Sequence, residues 1–133
     1  MTDINVGQLS EAINDKMDRD GMNAVSGVDF VVETQLPTSS NNYIWYRLYK
    51  SGWVEQGGIH KISDGQEVSL PVTMDSTNYF INLTVLFPNN GDNTVTVTVN
   101  TASTTASSFV YVRHWTSTDG SISWEVKGMA ATS

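Results

Sequence analysis

Residues 43–58 read Tyr43-Ile44-Trp45-Tyr46-Arg47-Leu48-Tyr49-Lys50-Ser51-Gly52-Trp53-Val54-Glu55-Gln56-Gly57-Gly58, and this stretch decides the fold class. It holds five of the nine tryptophan and tyrosine residues of a 133-residue chain. Side chains alternate across a strand, so Ile44, Tyr46 and Leu48 take one face and Tyr43, Trp45, Arg47 and Tyr49 the other. Lys50-Ser51-Gly52 is a compact polar break, after which Trp53-Val54-Glu55-Gln56 resumes the extended pattern. Aromatic strand, short glycine-containing turn and aromatic strand make a hairpin. Large side chains on both faces predict a hairpin covered on both sides, by its own sheet and by a second layer or a neighbouring subunit. Gly57-Gly58 is expected to end it.

Working outward, the same alternation recurs. A first strand is expected over residues 28–34, with Val28, Phe30 and Val32 on one face, followed by a polar loop at 37–42. Residues 66–72 form a strand with Val68 and Leu70 inward. The longest run, 77–87, puts Tyr79, Ile81, Leu83, Val85 and Phe87 on one face. Phe80, Asn82, Thr84 and Leu86 take the other, which predicts cover on both sides. Pro88-Asn89-Asn90-Gly91-Asp92 is a strong turn. Residues 93–100 alternate Thr outward and Val inward, the signature of a sheet with one wet face. Phe109, Tyr111, Arg113 and Trp115 then share a side, and Ile122, Trp124 and Val126 face in. Seven or eight short strands split by Gly, Asn and Asp turns predict an all-β, antiparallel fold, a sandwich or a barrel.

Ahead of the strands, Val6, Leu9, Ile13 and Met17 recur at helical spacing over residues 6–20, with Gln8, Glu11, Asn14, Asp15 and Asp18 outside. The narrow apolar stripe fits an amphipathic helix docked on its own domain, or a coiled-coil-like stem where copies of the chain meet. The stem is the expectation, because a helix this short is marginal alone. Gly21 ends it, giving a helical stem and hinge at 1–24 and a β domain at 25–133. Met1-Thr2-Asp3 leads abruptly into the helix, so further chain is expected upstream.

A formal charge of −7 disfavours nucleic acid and anionic membrane as partners, since both need clustered Lys and Arg. No apolar run approaches a bilayer span, so no membrane insertion is expected. The chain has no cysteine, which fits synthesis in a reducing cytoplasm.

Two stretches carry a resemblance. Trp53-Val54-Glu55-Gln56-Gly57-Gly58 is one. Asp75-Ser76-Thr77-Asn78-Tyr79-Phe80, then Ser108-Phe109-Val110, then Ser123-Trp124-Glu125-Val126-Lys127-Gly128 make up the other. In this order they resemble the receptor-binding C-terminal domains of bacteriophage tail fibres, over roughly residues 15–131. The resemblance implies a homotrimer of β-sandwich heads on a helical stem, located at the tip of a virion fibre and made in the host cytoplasm. Such a head recognises a bacterial surface glycan or an outer-membrane protein. Residues 86–106 depart from the family pattern, so the receptor does not carry over.

Chemistry points the same way. Without cysteine there is no thiol nucleophile or thiolate metal site. His60 reads as a solvated loop residue and His114 as a strand residue, with no metal-ligand spacing between them. A metal shared by copies of one histidine on a three-fold axis stays open as a geometric option, but no metal site and no cofactor is assigned. Glu33, Glu55 and Glu125 all lie in strands, yet nothing pairs two of them as a glycosidase requires. The expectation is a non-enzyme. Sugar recognition needs an aromatic plate beside groups that bond hydroxyls. The best such grouping is Trp115 with Arg113, His114 and Asp119, and Asn90 and Asp92 form a second polar tip. Trp115 as a lid on the core is the competing reading. Trp45, Tyr79, Phe109 and Trp124 are assigned to core or subunit interface. The classes that remain are an attachment tip, a structural trimerisation cap or connector, a polysaccharide-degrading enzyme and a cellular lectin-like module.

Overall fold

A turn this tight between two aromatic strands needs a residue that tolerates left-handed backbone, and Gly52 supplies it with φ 95° while its N–H donates to the Tyr49 carbonyl at 2.9 Å. The computed structural model describes residues 28–88 and 95–132. The chain divides into two units between Phe30 and Val31, and the strands of the described residues all belong to the second. The expected stem helix at 6–20, the hinge, and the turn residues Asn90 and Asp92 lie outside the described residues.

Among the described residues the secondary structure is β, with three short 3-10 turns and no α-helix. The strands are β1 (Val31–Gln35), β2 (Trp45–Tyr49), β3 (Trp53–Lys61) and β4 (Glu67–Ser69), then β5 (Phe80–Leu86), β6 (Val97–Val99), β7 (Ser108–Arg113) and β8 (Ser121–Met129). They form a five-stranded sheet in the order β1-β2-β3-β8-β5 and a three-stranded sheet in the order β4-β7-β6. Every pairing is antiparallel.

One apolar core joins the two sheets. From the first come Val54, Ile122, Trp124 and Val126, and from the second Val68, Phe109 and Tyr111. Phe109 meets Trp124 edge to face, with centroids 5.7 Å apart, a geometry the ring quadrupoles favour. Burial of each such side chain contributes about 1.5–3 kcal/mol. Gln56 is wholly buried among them. Its Oε1 accepts the Val72 N–H and its Nε2 donates to the Val72 carbonyl, both at 2.9 Å. The side chain thus pairs with the 70–74 segment as a backbone neighbour would. Tyr79 donates its hydroxyl to the carbonyls of Thr105 and Ser108 at 2.8 and 3.1 Å. Burial pushes its pKa up to about 12.

Four expectations need correction. Gly57-Gly58 do not end the hairpin: both lie inside β3, which runs on through His60 to Lys61. Neighbours crowd the space of each missing side chain, the Trp45 indole and the Trp124 carbonyl at Gly57, and Ile44 and the Trp124 indole at Gly58. A Cβ on Gly57 would lie 2.7 Å from Nε1 of Trp45, and one on Gly58 would lie 3.2 Å from Nε1 of Trp124. His60 is accordingly a strand residue paired opposite Ile122, edge-on to Tyr111 and 2.9 Å from the Gly65 carbonyl. The first strand starts at Val31, and Val32 is 51 % exposed. It is an edge strand contributing no side chain to the core. Finally, β5 is seven residues against nine for β3 and β8, and it lies at the opposite edge. Only its Ile81, Leu83 and Val85 face reaches the core, while Phe80 is 67 % exposed.

Candidate functional site

The register of the five-stranded sheet sets its outer face. Trp45 pairs with Gly57, Gly57 with Glu125, and Glu125 with Asn82, which places these four in one row across β2, β3, β8 and β5. The next row runs Ile59, Ser123, Thr84. A side chain is missing at the middle of the first row, so the Trp45 indole lies over Gly57 and a hollow opens beside it. This groove, about 530 Å3, has Pro37, Tyr43 and Trp45 as its apolar wall and Asn82, Thr84, Ser123 and Glu125 as its polar one. Its volume lies within the roughly 300–1,000 Å3 of small-ligand sites.

Each wall is held in place. The Arg47 guanidinium stands 5.2 Å from the Trp45 ring centre, a cation–π contact that steadies the indole. Its Nε lies 3.4 Å from Oε1 of Glu55, the cross-strand neighbour, which also accepts from the Tyr49 hydroxyl at 2.9 Å. Tyr43 is held differently. Asn42 and Tyr43 both have left-handed backbone, with φ 59° and 58°, which costs on the order of 1–2 kcal/mol for a non-glycine residue. A hydrogen-bonded loop compensates. Asn41 accepts the N–H groups of Thr38 and Ile44 through Oδ1 and donates to the Ile44 carbonyl. Thr38 O accepts the Tyr43 N–H, and Asn42 O accepts that of Ile59. The strained turn thus projects an aromatic ring, 51 % exposed, at the rim of the groove. On the polar wall, Glu125 Oε1 lies 2.9 Å from Lys127 Nζ, and that hydrogen bond raises the Lys127 pKa. The groove can therefore offer a flat apolar surface to C–H groups and carboxylate, amide and hydroxyl groups to hydroxyls.

The residues singled out from sequence at and after the end of β7, a strand of the three-stranded sheet, do not converge in this way. Trp115 is half-buried, packs against the core, and meets Phe87 edge to face at 6.0 Å. Its Nε1 is buried with no hydrogen-bond partner. Arg113 turns into its own loop, donating through Nη1 to the Ser117 carbonyl at 2.9 Å. His114 Nε2 lies 3.0 Å from the Thr98 hydroxyl. Asp119 borders a wider, shallower hollow with Lys61, Ser63, Phe87, Thr118 and Ser121, in which neither Trp115, Arg113 nor His114 takes part. Asn90 and Asp92 lie outside the described residues.

The three strand carboxylates are engaged separately: Glu33 by the Tyr46 hydroxyl at 2.7 Å, Glu55 by Arg47 and Tyr49, and Glu125 by Lys127. Among the described residues no group of three or more His, Asp and Glu is placed to hold a metal, and no helix is long and apolar enough to cross a membrane.

Sequence reasoning placed Trp45 in core or interface and so passed over the groove. The signal was present, because a turn centred on Ser51 puts Gly57 opposite Trp45. What the hairpin alone could not give was the partner of β3, and with it Glu125 and Asn82. No known protein family, curated protein or solved structure matches this chain.

Proposed function

We propose that this chain is the receptor-binding head of a bacteriophage tail fibre, a β-sandwich that assembles as a homotrimer and attaches the virion to a bacterial surface glycan without chemistry on it. The observation that carries the reading is the groove: an indole laid over a glycine in the centre of a sheet, faced by Asn82, Thr84, Ser123 and Glu125. A sugar ring presents the complementary pair of surfaces, a C–H face and a rim of hydroxyls. The resemblance of the Trp53–Gly58 and Ser123–Gly128 segments to fibre heads supplies the biological setting. A helical stem at residues 6–20 belongs to the same proposal. The trimer draws support from the edge strand β5, which leaves Phe80 and Leu86 exposed as surface for a neighbouring subunit.

Single sugars held on one open groove bind weakly. Three grooves on one stalk, and several fibres on one virion, raise residence through effective concentration by about 10²–10⁴-fold with no better individual contact. The negative charge of the chain, with Glu125 in the groove, favours neutral or amino-bearing sugars over phosphate-rich ones. The test is competition: the isolated trimeric chain blocks adsorption of the virion to its host, and Trp45→Ala removes the block while sedimentation shows the trimer intact. A head that neither blocks adsorption nor binds saccharide is a connector instead, and a monomer in sedimentation overturns the trimer.

A further inference from the structure

A second hollow, about 270 Å3, lies against Trp45 and is bounded by Thr34, Gln35, Leu36, Pro37 and Arg47. Trp45 and Pro37 border both hollows, so the indole stands as a partition between them. The two sides differ in chemistry. The groove carries the Glu125 carboxylate, a pure acceptor, whereas the smaller hollow carries the Arg47 guanidinium, a pure donor. Leu36, at the rim of the smaller hollow, is 74 % exposed. Nothing in the fold of the described residues requires so large an apolar side chain there.

We infer that the ligand is a sugar chain of at least two units that crosses Trp45, one unit in the groove and the next in the Leu36–Arg47 hollow. This rests on the reading of the groove as a glycan site and extends it to the ligand's length and polarity. The unit in the groove is neutral or amino-bearing, because it must donate hydrogen bonds to the Glu125 carboxylate. The unit beyond the indole meets the Arg47 guanidinium, whose Nε is taken by Glu55, so an acidic substituent such as a uronate is better placed there than beside the Glu125 carboxylate. A monosaccharide fills one hollow only and forgoes the contact with the other side of the partition.

The experiment is titration of the trimeric chain with monomers, dimers and tetramers of a neutral hexose, an N-acetylhexosamine and a hexuronate, and with mixed dimers carrying one uronate. Affinity is expected to rise on the order of tenfold from monomer to dimer, as one added aromatic or hydrogen-bonded contact provides. Leu36→Ser, at a position too exposed to affect folding, removes that rise and leaves monomer affinity within about twofold of the parent, an effect below 1 kcal/mol. Asn82→Ala weakens monomer and dimer together. Equal affinity for monomer and tetramer overturns the inference. So does a Leu36→Ser variant that weakens all lengths equally or keeps the full rise. A head that blocks adsorption yet ignores chain length overturns the two-unit ligand alone, whereas one that binds neither cells nor any saccharide overturns the attachment reading as well.

Discussion

Adding one methyl group at Gly57 tests the link between fold and groove. An alanine Cβ there would lie 2.5 Å from the Trp124 carbonyl oxygen, 2.7 Å from Nε1 of Trp45 and 3.0 Å from its Cε2. The first contact is to backbone of β8, the strand paired with β3 over nine residues, and it cannot be relieved by a rotamer change. The indole can tilt, but only by leaving the surface that makes it a groove wall. Overpacking of this kind costs about 1–3 kcal/mol, and a backbone contact puts Gly57→Ala at the upper end. The alanine lowers unfolded-state entropy, which offsets about 0.4–1 kcal/mol, leaving a net loss of about 2 kcal/mol. That corresponds to a fall in Tm of roughly 8 °C for a domain near this size.

Gly58 provides the internal comparison. Its nearest neighbours would be 3.1 to 3.3 Å from a Cβ, two of them side-chain atoms of Ile44 and Trp124. A shift of a few tenths of an ångström suffices, so Gly58→Ala nets to about zero once the entropy gain is counted. Urea unfolding of both variants measures the contrast, and combining Gly57→Ala with Trp45→Ala closes a double-mutant cycle. Removing the indole relieves two contacts of the new methyl but not the carbonyl one, so a coupling of about 1 kcal/mol is expected. Saccharide affinity should fall in Gly57→Ala, whose methyl displaces the Trp45 wall of the groove. Equal stability of the two alanine variants, or a cycle with no coupling, would refute the claim that Trp45 lies on Gly57.

Three further outcomes follow from the packing. Gln56→Leu leaves the N–H and carbonyl of Val72 without the side-chain partners they have at 2.9 Å; at about 1–3 kcal/mol for a stranded buried group, a loss of roughly 2–3 kcal/mol is expected in urea unfolding. Trp115→Phe removes a buried indole N–H that has no partner, so stability should hold or rise by about 1 kcal/mol; saccharide binding should not change, and a loss of binding would place the sugar at Trp115 instead of Trp45. Tyr79 is a group whose folded-state pKa is raised, to about 12. Its contribution is therefore complete below the unfolded value near 10 and is lost as pH rises toward about 12. Urea midpoints across that interval should fall less steeply in Tyr79→Phe than in the parent.

What could be read from the chain depended on whether a feature was local. Alternation around Val68, Leu70, Ile122, Trp124 and Val126 identified their inward faces, because period-2 patterning is a property of one strand. The hairpin was legible for the same reason. The groove was not, since its polar wall comes from β8 and β5, which reach β2 only through a strand order that no local pattern encodes. Gly57-Gly58 misled because two glycines usually punctuate a strand. In β3 they continue it, because Trp45 and the Trp124 carbonyl crowd the space beside Gly57, and Ile44 and the Trp124 indole that beside Gly58. Trp115 illustrates the converse: a strand-end tryptophan beside Arg113 and His114 looks like a ligand plate in sequence, yet each neighbour is engaged elsewhere, at Ser117 and Thr98.

The Trp53–Gly58 segment therefore carries two functions at once. Val54 and Gln56 face inward, one as core and the other as a pairing partner for Val72. Glu55 faces outward and anchors Arg47, whose guanidinium steadies Trp45. Gly58 makes room for the core indole and Gly57 for the outer one. A substitution that shifts β3 by one residue would exchange these faces and bury Glu55 while exposing Val54. Register in this strand is consequently fixed twice, by the core on one side and by the groove on the other. The same constraint lets one short segment serve the core with its inner half and form the floor of the proposed glycan groove with its outer half.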